Sequence, residues 1–135
     1  MGKFKLMWTD FDQEKGTSTA CVSYKNHLYF GKAYYNKDDL NAPPVSSFEG
    51  CRIAEMRACA KALKVELKEK EKEYRLFSKV ACELGVPYSQ IEKKLRAYDK
   101  DIKHRQQIII SIYDAINKNI NEYYSFHEKR KKKET

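Results

Sequence analysis

Two stretches of this chain repeat apolar residues at alternating spacings of four and three, and a helix stop separates them. The first runs Met56, Ala60, Leu63, Leu67, Lys70, Tyr74, Phe77, Ala81, Leu84. The second runs Ile91, Leu95, Tyr98, Ile102, Arg105, Ile109, Ile112, Ile116, Asn119, Tyr123, Phe126. A period of about 3.5 keeps one stripe facing a partner helix along its whole length. Gly85-Val86-Pro87 lies between the stripes and ends the first helix. The pattern therefore predicts two long helices folded back on one another.

Each stripe is broken by one cation, and folding back at the stop sets Lys70 opposite Arg105. At about 7 Å and an effective dielectric near 20, their repulsion is roughly 2 kcal/mol. Two arrangements relieve it. Both side chains can snorkel out of the seam and pair with Glu66, Glu69, Glu71 or Glu73. Alternatively, a polar waist receives phosphate or another anion, with Arg105 as the fork, Lys70 as the point charge, and Tyr74 and Tyr98 for stacking.

Residues 1–36 read as β structure. Phe4 to Phe11 is aromatic-rich and closes on Gln13-Glu14-Lys15-Gly16. Thr17 to Tyr24 alternates through Ala20, Val22 and Tyr24. Lys25-Asn26 forms a two-residue hairpin turn, Asn tolerating positive φ. The return strand, His27 to Tyr35, carries Leu28, Phe30 and Tyr34 at alternate positions. Gly31 interrupts it, as a bulge or a close backbone approach. A sheet of two or three strands is marginal alone and must pack on something.

Residues 37–46 form a linker marked by Asp38-Asp39 and Pro43-Pro44. Ser46 with Glu49 makes a capping box, which starts the first helix near Ser47. Its small-residue face (Cys51, Ala54, Ala58, Cys59, Ala62) suits close packing on the sheet. The expected organisation is a single domain over 1–128, with helices at 47–84 and 88–128 and a basic disordered tail at 129–135. Its fold class is α+β: a small N-terminal antiparallel sheet packed on a long antiparallel two-helix hairpin. The second helix widens its apolar face at Ile108, Ile109, Ile110, Ile112, Tyr113 and Ile116. A face that wide needs extra cover, which we read as a contact between copies in a homo-oligomer.

The chain carries a net charge of +8 over 135 residues, and the tail supplies half of it. The body is only mildly basic, so nucleic-acid binding would rest on the tail. Cys21, Cys51, Cys59 and Cys82 lack a metal-ligand spacing. Cys51 and Cys59 are about 12 Å apart on a helix, too far for a disulfide. They read as small apolar residues in a reducing cytoplasm. No apolar run is long enough to span a membrane, and no targeting segment is evident.

A second group of cations, Arg52, Arg57 and Lys61, stands at the head of the first helix, where the backbone favours anions. Antiparallel pairing brings Asp114, Asn117, Asn119 and Asn121 towards it. Asn at a seam position either fixes register or holds a base or ribose. The expected ligand-binding set is thus Arg52, Arg57, Lys61, Asp114, Asn117, Asn119 and Asn121, with Arg105 and Lys70 at the waist. His27, His104 and His127 form no triad or metal spacing, and no glycine-rich phosphate loop exists. The reading is of a non-enzyme without cofactor or metal.

The run Phe30-Gly31-Lys32-Ala33, then Asp38-Asp39, then Gly50-Cys51-Arg52-Ile53-Ala54-Glu55-Met56-Arg57-Ala58 resembles the phage anti-Thoeris sponge proteins, the first-described Thoeris anti-defence family. The motif likeness covers residues 28–65, and the likeness of layout covers most of the chain. It implies a protein that sequesters, without degrading it, the cyclic ADP-ribose isomer made by a TIR-domain defence protein. It further implies dimers or hexamers in the host cytoplasm, and binding of cyclic oligonucleotides by some members. Arg52 and Arg57 are the residues that it carries over as ligand contacts. Two other expectations stand beside it: nucleic-acid binding through the basic tail, and inhibition of a host protein through the helices.

Overall fold

The computed structural model describes residues 3–34 and 47–134, with side chains through residue 34 and from 49 to 120. The linker at 37–46 and the Ser46 cap lie outside the described residues. Three strands and two helices follow in order: β1 Lys5–Asp12, β2 Thr17–Tyr24, β3 His27–Tyr34, α1 Ser47–Glu83 and α2 Tyr88–Glu134. The strands form one antiparallel sheet in the order β1-β2-β3, so the architecture is α+β.

The turns follow from their residues. At the β1–β2 turn, Asp12 Oδ1 accepts hydrogen bonds from the Glu14 and Lys15 amides at 3.0 and 3.1 Å. Gly16 closes that turn at φ 65° and donates its amide to the Asp12 carbonyl. At the β2–β3 turn, Lys25 and Asn26 both take positive φ, at 50° and 66°. That pair of angles is the type I′ turn whose twist suits a hairpin.

β2 is central and well buried. Ser18, Ala20, Val22 and Tyr24 all point to one face and are buried there. Gly31 pairs with Ala20 on the same face, and its missing side chain lets α1 come very close. A Cβ at Gly31 would overlap the Ala54 carbonyl oxygen and come within 2.6 Å of the Ala58 nitrogen. Gly31 is therefore a close approach, and the bulge falls elsewhere, between Leu6 and Trp8. That bulge turns Trp8 to the opposite face from Leu6. Leu28, Phe30 and Tyr34 also look away from α1, because Gly31 and Ala33 hold the α1-facing positions of β3. The alternating large residues of β3 are thus its outer face.

The stop between the helices is a Schellman motif. Gly85 takes φ 67°, its amide donates to the Cys82 carbonyl at 3.1 Å, and the Val86 amide donates to Ala81 at 3.0 Å. These bonds satisfy carbonyls that the end of α1 would otherwise leave bare. α2 starts at Tyr88 and continues through Glu134, so residues 129–134 belong to it. The basic run, expected from its charge to be a disordered tail, is thus helical. Lys and Arg are good helix formers, and cations at a helix C-terminus complement its dipole.

The chain divides into two compact units: Met1–Ala62 with Ile112–Thr135, and Leu63–Ser111. Helices of 37 and 47 residues, about 55 and 70 Å long, outrun eight-residue strands of about 26 Å. In the first unit the sheet, the first part of α1 and the middle of α2 contribute buried apolar residues: Ala20, Val22, Ala54, Ala58, Ile112 and Ile116. The second unit is a helical hairpin whose stripe residues are at least half-buried, except Leu84 beyond the end of α1. Its interior is aromatic, with Tyr98 packed on Tyr74 at 6.1 Å and on Phe77 at 5.9 Å.

Candidate functional site

In the hairpin unit, the two seam cations are already matched. Arg105 forms an ion pair with buried Glu66, and its Nε donates to Asp101 at 3.0 Å. Lys70 pairs with Glu73, one turn further on, at 3.4 Å. The waist is therefore neutralised from within. Glu66 and Glu73 are two of the four acids that the sequence singles out; Asp101 is the one it misses. Asp101 precedes Arg105 by four residues on α2, the spacing of an intrahelical ion pair.

In the sheet-bearing unit, the cations at the head of α1 do not converge. Arg57 turns to the sheet, and its Nη1 donates to the Lys32 carbonyl at 2.7 Å. This bond ties α1 to β3 beside the Gly31 contact. Lys61 follows Arg57 by four residues and shares its side of the helix. Arg52 lies on a different side, one turn before Met56. Both Arg52 and Lys61 are exposed, and neither has an ion pair among the described residues.

The polar residues of α2 separate in the same way. Asn119 lies in the seam, donating to the Ala115 carbonyl at 2.9 Å and reaching Met56 Sδ at 3.9 Å. The first bond satisfies the amide within its own helix, and the second fixes register against α1. Asp114 and Asn117 are exposed, on the side of α2 away from buried Ile112 and Ile116. The side chain of Asn121 lies outside the described residues. Of the polar positions on α2, Asn119 is the one that meets α1, at Met56, one turn beyond Arg52.

Among the described residues, the Cys59 thiol departs clearly from its ordinary value. Burial, reinforced by the Glu55 carboxylate, pushes the Cys59 thiol from 9.0 up to about 11. It is a protonated, packed thiol at neutral pH. Among the described residues, no three His, Cys, Asp or Glu converge as a metal site would require. None of their helices is long and apolar enough to cross a membrane. What the arrangement offers is an exposed guanidinium, Arg52, in the second turn of α1, a group suited to meeting an anion. Comparison with protein-family models, curated proteins and solved structures returned no match to this chain.

Proposed function

We propose that this protein is a phage counter-defence sponge: it binds a cyclic nucleotide immune signal, a cyclic ADP-ribose isomer first of all, and withholds it intact. The observation that carries the reading is Arg52, exposed on the α1 row that leads through Met56 to Asn119. A guanidinium there meets a ligand phosphate. The junction of the two motif halves supports it as well. Phe30–Ala33 and Gly50–Ala58 meet through Gly31 and Arg57, so the segment that resembles the sponge family acts as one structural unit. The neutralised waist turns attention away from Lys70 and Arg105.

Isothermal titration of the full chain with cyclic ADP-ribose isomers and with cyclic di- and trinucleotides tests the proposal. Saturable heat with at least one of them is expected. A flat titration with all of them rejects it. Removal of residues 129–135 should leave that heat in place, whereas a nucleic-acid binder working through the basic run would lose its affinity.

A further inference from the structure

The face of the sheet turned away from α1 is apolar and open. Trp8 and Phe30 lie on either side of Cys21 in one cross-strand row, with ring centroids 6.0 Å apart. They cover Cys21, which is 1% exposed, yet remain 46% and 44% exposed themselves; Leu28 and Tyr34 beside them are 56% and 73% exposed. Isolated exposed apolar residues are ordinary, but Trp8, Phe30 and Leu28 in adjoining rows, with Tyr34 beyond them on the same face, mark an interaction surface.

The charges around this patch say what covers it. The next row is Asp10, Thr19, Lys32, with an acid on β1 and a base on β3. Among the described residues the two form no ion pair with each other across β2. A second copy laid face to face, with its two-fold axis along β2, puts β1 of each copy over β3 of the other. Asp10 then faces the partner's Lys32, Trp8 faces the partner's Phe30, and each contact occurs twice. Nucleic acid stacking on the same rings would instead bring phosphates towards Asp10.

We infer that the outer sheet face is a self-complementary interface, through which two copies of this chain pair sheet to sheet. Half-exposed aromatic and leucine side chains offer about 100 Å² each, so the pair buries on the order of 800 Å² of apolar surface. At an apolar share of about 57%, the total is about 1,400 Å², within the usual size of a stable interface. None of its residues contacts Arg52, where the nucleotide reading places the ligand.

Sedimentation equilibrium of the full chain from micromolar to about 200 μM reads the interface. The wild-type chain should show the mass of two copies or an even multiple. Asp10→Lys and Lys32→Asp should each raise the dissociation constant about tenfold or more by setting like charges together, and combining them should restore it to within about threefold. Phe30→Lys, with circular dichroism to confirm folding, should halve the mass. A monomeric wild-type chain overturns the inference, whether another partner or the chain itself covers the patch. So does an oligomer indifferent to both charge changes, which would place the contact elsewhere, for example at exposed Ile110 and Tyr113 of α2.

Discussion

Gly31 of β3 and Ala54 of α1 are packed backbone to backbone, with no room between them for even a methyl group. Ala58, one turn further along α1, completes the contact, and Arg57 bonds across it to the Lys32 carbonyl. This is where the sheet and the helix become one core.

Gly31→Ala should therefore be costly, by about 2 kcal/mol or more, because strand or helix must shift to admit the methyl. Gly85→Ala offers a contrast. It meets nothing within 4 Å, and its cost of about 1 kcal/mol comes from positive φ alone. Thermal melts followed at a helical wavelength should rank the two in that order. Equal melting temperatures would contradict the close approach.

The Arg105–Glu66 pair yields a second expectation. Arg105→Leu alone takes a cation from buried Glu66 and should cost about 2–3 kcal/mol. Arg105→Leu with Glu66→Leu removes both charges from the seam and should come within about 1 kcal/mol of the wild-type chain. Urea unfolding of the three proteins measures both differences. A double variant as unstable as the single would mean that the pair itself, and not the loss of balance around Glu66, holds the hairpin.

Cys59 predicts a pH effect with a definite sign. Its folded-state value is raised, so above pH 9 the folded chain retains a proton that the unfolded chain has released. Its stabilising contribution is complete below pH 9 and is lost as pH rises towards 11. The denaturation midpoint of the wild-type chain should fall over that window more steeply than that of Cys59→Ala. At pH 8, iodoacetamide should modify exposed Cys82 well before Cys59.

The site predicts a division among the cations. Arg52→Ala should weaken cyclic nucleotide binding about tenfold or more, the size of a lost charge-assisted hydrogen bond. Lys61→Ala lies on another side of α1 and should change affinity by less than about threefold. The reverse order in titration calorimetry would move the site to the Arg57–Lys61 side of the helix.

The elements were legible because each is written in local chemistry. Gly85 with Val86 ends α1, Lys25-Asn26 turns the hairpin, and the stripes through Leu63, Tyr98 and Ile109 face a partner. The relations between elements were much less so. That Gly31 is an approach to α1, and that Leu28, Phe30 and Tyr34 face outward, depends on where a distant helix packs. A period of two states that alternate residues share a face, without saying which face is inside. The candidate site suffered from the same limit. Arg52, Arg57 and Lys61 look like one cluster along the sequence, yet a rotation of about 100° per residue spreads them around the helix. Asp114 and Asn117 part from Asn119 for the same reason.

The central claim is that the signal is held and not consumed. Incubating excess protein with a cyclic ADP-ribose isomer, filtering, then heating the retained protein and analysing the released small molecules by mass spectrometry tests it directly. The account predicts a filtrate depleted of the isomer and its release, chemically unchanged, on heating. An isomer that passes the filter freely, or that returns as a hydrolysed product, would contradict it.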